Sequence, residues 1–195
     1  MAKFATAEEI IKLAESQVGV KEYPMNSNKV KYNTAYYKRE VSGSAYPWCC
    51  AFIWWLFNEL ESNDLFYGGK QTAYCPTLRS YHKKQKVTKD YKPGDIIFFN
   101  FSGGSVAKHV GLCVDYNATK GTITTIDGNT GTNNEANGGC VMYRTRSIKY
   151  VLDGYRPDYT SSKEEKNNNE TVRKVYQINV PLLQEGDEGA DVKSL

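Results

Sequence analysis

The sequence predicts an α+β domain in which N-terminal helices pack on an antiparallel β-sheet. Three observations carry this expectation. Apolar residues recur at helical spacing early in the chain, and after Lys92 the pattern changes to short β-branched and aromatic segments. Those segments are broken by Gly, Asn and Asp turn signals, and helices followed by a run of strands read as α+β. A chain of 195 residues suffices for one sizeable domain with a small appendage.

The first element is "TAEEIIKLAESQVG", residues 6–19, where Ile10, Ile11, Leu13, Ala14 and Val18 lie near helical spacing. Thr6 and Glu9 form a capping box at its start and Gly19 stands at its far end. Residues 21–47 carry Pro, Asn, Ser and Gly punctuation and read as irregular. Residues 49–60, "CCAFIWWLFNEL", are apolar on nearly all sides, which predicts a centrally buried helix. A weaker helix is expected over 75–86, with Pro76 and Thr77 in its first turn. Strands are expected in "PGDIIFFNF" (93–101), "HVGLCVDY" (109–116), "TITTIDGN" (122–129), "GCVMYRTR" (139–146) and "VLDGYRP" (151–157). The domain should span 1–158, followed by a polar, Asn-rich linker over 159–174 and the start of a further module over 175–195.

Composition removes several classes of function. A net charge of +3 without any basic run gives no footprint for nucleic acid. No apolar stretch approaches the length of a membrane span, so membrane insertion is not expected. The N-terminus has no apolar run ahead of its glutamates and reads as a helix, so cytoplasmic synthesis without a signal peptide is expected. Five cysteines, an odd number, argue against a disulfide framework, and adjacent Cys49 and Cys50 do not readily bridge. No CxxC or HxxxH spacing is present, so neither a metal site nor a cofactor is expected. The 15 tyrosines suit sheets as well as flat surfaces for sugars and peptides, and are read first as sheet fillers.

One constellation carries chemistry. Cys49 falls where the buried helix should begin, and a helix N-terminus favours a thiolate. Of the two histidines, His82 lies in a polar segment expected to be exposed. His109 opens a strand with Gly111 on the same face, which should leave space beside the imidazole, and is the better base. Asp127 and Asn129 end the next strand, and either could orient the ring. Each signal alone is weak; a buried cysteine is more often core than nucleophile.

Taken together, "YPWCCAFIWW", "KPGDIIFFNF", "KHVGLCVDY" and "TITTIDGNTG" resemble, in order, the motifs of the CHAP domain, the cysteine/histidine-dependent amidohydrolase/peptidase family of phage endolysins and autolysins. The resemblance runs from about Ile10 to Arg156 and implies a papain-like cysteine hydrolase fold acting on bacterial peptidoglycan. It places the nucleophile on Cys49, directly after Trp48, and the base on His109. Asp127 stands where the family commonly has Glu, so Asp127 and Asn129 both remain candidates for the orienting residue. The segment "PMNSNKVKYN", residues 24–33, has no acidic residue, so the calcium site that some relatives carry ahead of the nucleophile is not expected. Gly186, Gly189, Val192 and Leu195 resemble the opening of a peptidoglycan-binding module, which suggests a truncated parent protein.

The expected activity is thiol-dependent hydrolysis of a muropeptide amide by a monomer that reaches the wall after release. The N-acetylmuramoyl-L-alanine bond is favoured over a stem or cross-bridge peptide bond. Trp48, Tyr46 and Tyr37 are expected to line the substrate groove, with core packing as the competing reading for Trp48. A wall-binding protein without catalysis, and a thiol acyltransferase or deamidase acting on proteins, are the alternatives.

Overall fold

The protein is described by a computed structural model over residues 4–161. Helix α1 (Ala7–Glu15) begins at the expected capping box. The Glu9 backbone N–H donates to Thr6 Oγ1 at 3.1 Å, and the Thr6 N–H donates to Glu9 Oε2 at 2.8 Å. Helix α2 (Lys31–Tyr37) lies inside the stretch read as irregular. No side chain caps it at Val30; tertiary contacts hold it instead. Tyr32, Asn33 and Tyr36 are buried, Asn33 Nδ2 donates to the carbonyls of Asn28 and Tyr46 at 2.8 Å, and Tyr32 packs on Trp48, Phe52 and Trp55.

Helix α3 (Cys49–Glu59) is the central element, as its all-round apolar sequence requires. Phe52, Ile53, Leu56 and Phe57 are fully buried, each stabilising the fold by roughly 1.5–3 kcal/mol. Helix α4 (Asn63–Tyr67) follows. Helix α5 (Cys75–Tyr81) is shorter than expected: His82 leaves helical geometry at its C-cap, and the chain continues as a 3-10 turn and strand β1 (Lys86–Val87).

The five expected strands are present as β2 (Ile96–Phe99), β3 (His109–Asn117), β4 (Thr122–Thr130), β5 (Cys140–Ser147) and β6 (Val151–Tyr155). With β1 they form one six-stranded antiparallel sheet of order β1-β6-β2-β3-β4-β5, so β6 returns to pair between β1 and β2. All four residues of β2 are buried because alternate side chains serve two cores. Ile96 and Phe98 join the large core with the helices; Ile97 and Phe99 join a smaller cluster with Tyr91, Cys113 and Ile123.

One close approach positions the site. A Cβ on Gly128 would lie 2.5 Å from Phe52 Cβ and 2.8 Å from Trp48 Cζ3. Only glycine lets the end of β4 lie against the start of α3. At the other end of the domain, Tyr159 stacks on Phe57 (centroids 6.3 Å apart) and donates to the Gly94 carbonyl at 2.8 Å, so the packed unit runs past residue 158. From residue 162 onward, the expected linker and terminal module lie outside the described residues.

Candidate active site

Cys49 is the first residue of α3 and is buried. No side chain caps this helix and its first turn has no acidic residue, so neither a cap nor a first-turn carboxylate offsets the positive end of the helix dipole. His109 is fully buried at the start of β3, opposite Phe99 of β2. Its Nε2–H donates to Asp127 Oδ2 at 2.7 Å, whereas Nδ1 has no hydrogen-bond partner. Nδ1 is therefore the nitrogen left for the thiol.

The space beside the imidazole is not open, contrary to the expectation at Gly111. A Cβ on Gly111 would sit 2.1 Å from Asp127 Oδ1 and 2.9 Å from its Cγ. The missing side chain makes room for the carboxylate. Asp127, and not Asn129, contacts the ring. Asn129 adopts φ 57° at an irregularity in β4, and this left-handed residue breaks the alternation that would have put both side chains on one face. Asn129 Nδ2 instead donates to Asn137 Oδ1 at 3.0 Å.

The electrostatics follow from this geometry. Burial opposes charge on His109, but Asp127 and Cys49 outweigh it and raise its pKa to about 9. Burial likewise opposes charge on Asp127, yet Arg146 and then His109 hold its carboxyl below the usual range. The hydrogen-bonding contact with Cys75, followed by burial, pushes the Cys49 thiol up, while His109 pulls it down. The two sulfur atoms of Cys49 and Cys75 are 3.7 Å apart. Cys50 points elsewhere and donates to the Thr72 carbonyl at 3.3 Å, as the helical rotation of about 100° per residue requires. All five cysteines are free.

The remaining sequence candidates divide. Trp48 is fully buried, stacks on Tyr32 at 5.4 Å and donates from Nε1 to Glu22 Oε1 at 2.7 Å. It presents no face to a ligand, so the groove-lining expectation gives way to core packing. Tyr37 and Tyr46 are half-buried and meet edge to face at 5.1 Å. His82, expected on the surface, is buried: Nδ1 pairs with Gln85 Oε1 and Nε2 with the Phe66 carbonyl, both at 2.6 Å, and its ring stacks on Tyr155 at 3.5 Å.

Cys75, Arg146 and Glu135 escaped the sequence reading. Arg146 Nη1 donates to Asp127 Oδ2 at 2.7 Å, and Nε donates to Glu135 Oε2 at 2.7 Å. No local pattern announces them, because each acts on a residue far away in the chain. Among the described residues, no three His, Cys, Asp or Glu side chains are grouped to hold a metal ion. No helix there is long and apolar enough to cross a membrane.

Residues 41–129 match the CHAP domain family model. The matched stretch contains Cys49, His109, Asp127 and Asn129 and ends before β5. No curated protein sequence matches the chain. Among solved structures, the wild type endolysin LysIME-EF1 is similar, with a TM-score of 0.54 and 10% sequence identity over 89% of this chain and 87% of that chain. That likeness is one of fold and agrees with an α+β, papain-like architecture.

Proposed function

We propose that this domain is a peptidoglycan hydrolase that opens an amide of the muropeptide through a thioester on Cys49. The observation that carries the reading is the divided imidazole of His109, with Nε2 committed to a carboxylate and Nδ1 unpartnered. It is coupled to a thiol at an uncapped helix start, within the stretch that matches the CHAP domain. Against its burial, Asp127 and Cys49 raise the basicity of His109 toward that of the thiol, so the reacting form is the free-base ring, whose population grows as pH rises toward about 9. The Cys49 proton passes to Nδ1, and the thiolate attacks the amide carbonyl. The oxyanion is held by the Cys49 backbone N–H at the start of α3. His109 then protonates the departing amine as the C–N bond breaks. A water, deprotonated by His109, cleaves the thioester and restores the thiol. Asn129 is retained as an outer contributor to the site, and Tyr37 with Tyr46 as substrate contacts.

The bond proposed is the N-acetylmuramoyl-L-alanine amide, with a stem or cross-bridge peptide bond as the alternative target of the same chemistry. Clearing of purified walls by wild type, and its loss in Cys49→Ala and His109→Ala but not Cys50→Ala, is the expected result. Full activity of Cys49→Ala would refute the thioester route. Mass spectrometry of the digest separates the two bonds: new N-terminal alanine marks the amidase, and a new stem or bridge terminus the endopeptidase.

A further inference from the structure

We propose that Arg146 is a positioning residue of the catalytic centre, fixing the Asp127 carboxylate against His109 and tying it to the β4–β5 connection through Glu135. The inference rests on the proposed Cys49–His109 chemistry and concerns a residue beyond the stretch that matches the CHAP domain.

Asp127 has an unusual share of partners. Its Oδ2 accepts from both His109 Nε2 and Arg146 Nη1 at 2.7 Å, while Oδ1 is buried without a partner above Gly111. A buried carboxylate held by the imidazole alone could rotate about χ2 or take the imidazole proton, and either change would release the ring. Arg146 prevents both by adding a permanent charge and a second direction of restraint. The guanidinium is itself restrained on every side. Nη1 also donates to Thr125 Oγ1 at 3.2 Å, and Nη2 to Thr130 Oγ1 at 3.3 Å and the Glu135 carbonyl at 3.4 Å. Nε donates to Glu135 Oε2 at 2.7 Å, and the plane lies over Phe99 and Phe101, each centroid 5.1 Å away. The same two rings flank His109 at 6.2 and 5.8 Å.

Glu135 is the outer end of this chain. It lies in the connection between β4 and β5, is also paired with Arg144, and keeps a side-chain exposure of 40%. The connection is folded onto the end of β4, with Thr130 Oγ1 donating to the Glu135 carbonyl at 2.9 Å and the Gly138 N–H to the Asn129 carbonyl at 3.1 Å. The order Glu135–Arg146–Asp127–His109–Cys49 thus runs from a surface loop to the reactive sulfur. A lysine could supply the charge but not the planar fork that reaches Asp127, Thr125 and Glu135 together.

The test measures two quantities on Arg146→Met, Arg146→Lys and Glu135→Gln: initial rates on purified walls, and the pH dependence of Cys49 alkylation by iodoacetamide, read by mass spectrometry of the Cys49 peptide. Arg146→Met should lower kcat about 100-fold with KM little changed, since a small misplacement of the base suffices for such a loss. Its alkylation midpoint should move up by about one pH unit, because the thiolate loses a well-held imidazolium. Arg146→Lys should restore the midpoint yet leave kcat about tenfold down, and Glu135→Gln should lose roughly threefold. A purely structural role predicts less folded protein with an unmoved midpoint and a normal rate per folded molecule; that outcome overturns the inference. If Arg146→Met does not fold, wild-type kcat in both other variants overturns it instead. The Cys49→Ala control separates the two proposals: its activity judges the thioester reading, and the alkylation midpoint judges Arg146 whatever the substrate proves to be.

Discussion

His109 and His82 are both buried, both hydrogen-bonded and both set among aromatic rings, yet only His109 keeps a ring nitrogen without a partner. At the end of α5, His82 has each ring nitrogen paired, one with the Phe66 carbonyl and one with the Gln85 side chain, and one face stacked on Tyr155. On β3, His109 has one nitrogen on a carboxylate and the other unpartnered, coupled to a thiol. The difference shows that burial by itself does not single out a candidate catalytic histidine. What marks it is an asymmetry: one side of the ring over-determined, the other left for a reacting group.

The largest effect that would sharpen this contrast comes from alanine at each position. His109→Ala should lower wall clearing by at least about 10⁴-fold while the domain still folds. His82→Ala should cost about 2–4 kcal/mol of stability through lost stacking and hydrogen bonds, with the rate per folded molecule unchanged. Rate assays paired with thermal melts read both, and a dead but fully stable His82→Ala would break the comparison.

Next in size is the carboxylate side of the asymmetry. Asp127→Asn keeps the shape but cannot stabilise an imidazolium, and a loss on the order of 10³-fold in kcat is expected. Gly111→Ala attacks the same contact sterically, since its Cβ would fall 2.1 Å from Asp127 Oδ1. Displacing the carboxylate that way should cost about 100-fold, and crystallography of the variant should find Asp127 moved off His109.

Two smaller effects concern titration. His109 has a folded pKa near 9 against an unperturbed 6.5, so the protonated form is favoured by folding. Its contribution to stability is fully present below about pH 6.5 and is lost as pH rises through about 9. The gap in melting temperature between wild type and His109→Gln should therefore shrink over that window; a constant gap would contradict the raised pKa. On the thiol side, Cys75 holds the Cys49 pKa up. Cys75→Ala should lower the pH midpoint of Cys49 alkylation, and Cys50→Ala, which removes a thiol turned to the Thr72 carbonyl, should leave it in place.

Much of this could be read in the chain itself. Periodicity and punctuation located α1, α3 and all five principal strands, because each of those segments carries its own pattern of apolar residues and turn formers. Cys49 at a helix start and His109 on a strand were legible for the same reason, being local features of the chain. Helix α2 was not, since its stability comes from Tyr32 and Asn33 contacts with distant residues and from no cap of its own.

Tertiary structure alone decided the rest. The choice of Asp127 over Asn129 depended on a left-handed residue at the end of β4, and the burial of His82 on where Tyr155 of β6 returned. Cys75, 26 residues from Cys49 in sequence, and Arg146, 19 residues from Asp127, reach the site only because helices and strands pack as they do. Local sequence determines which segments coil or extend. The site's partners and their protonation are set by distances between segments, which exist only once the chain has folded.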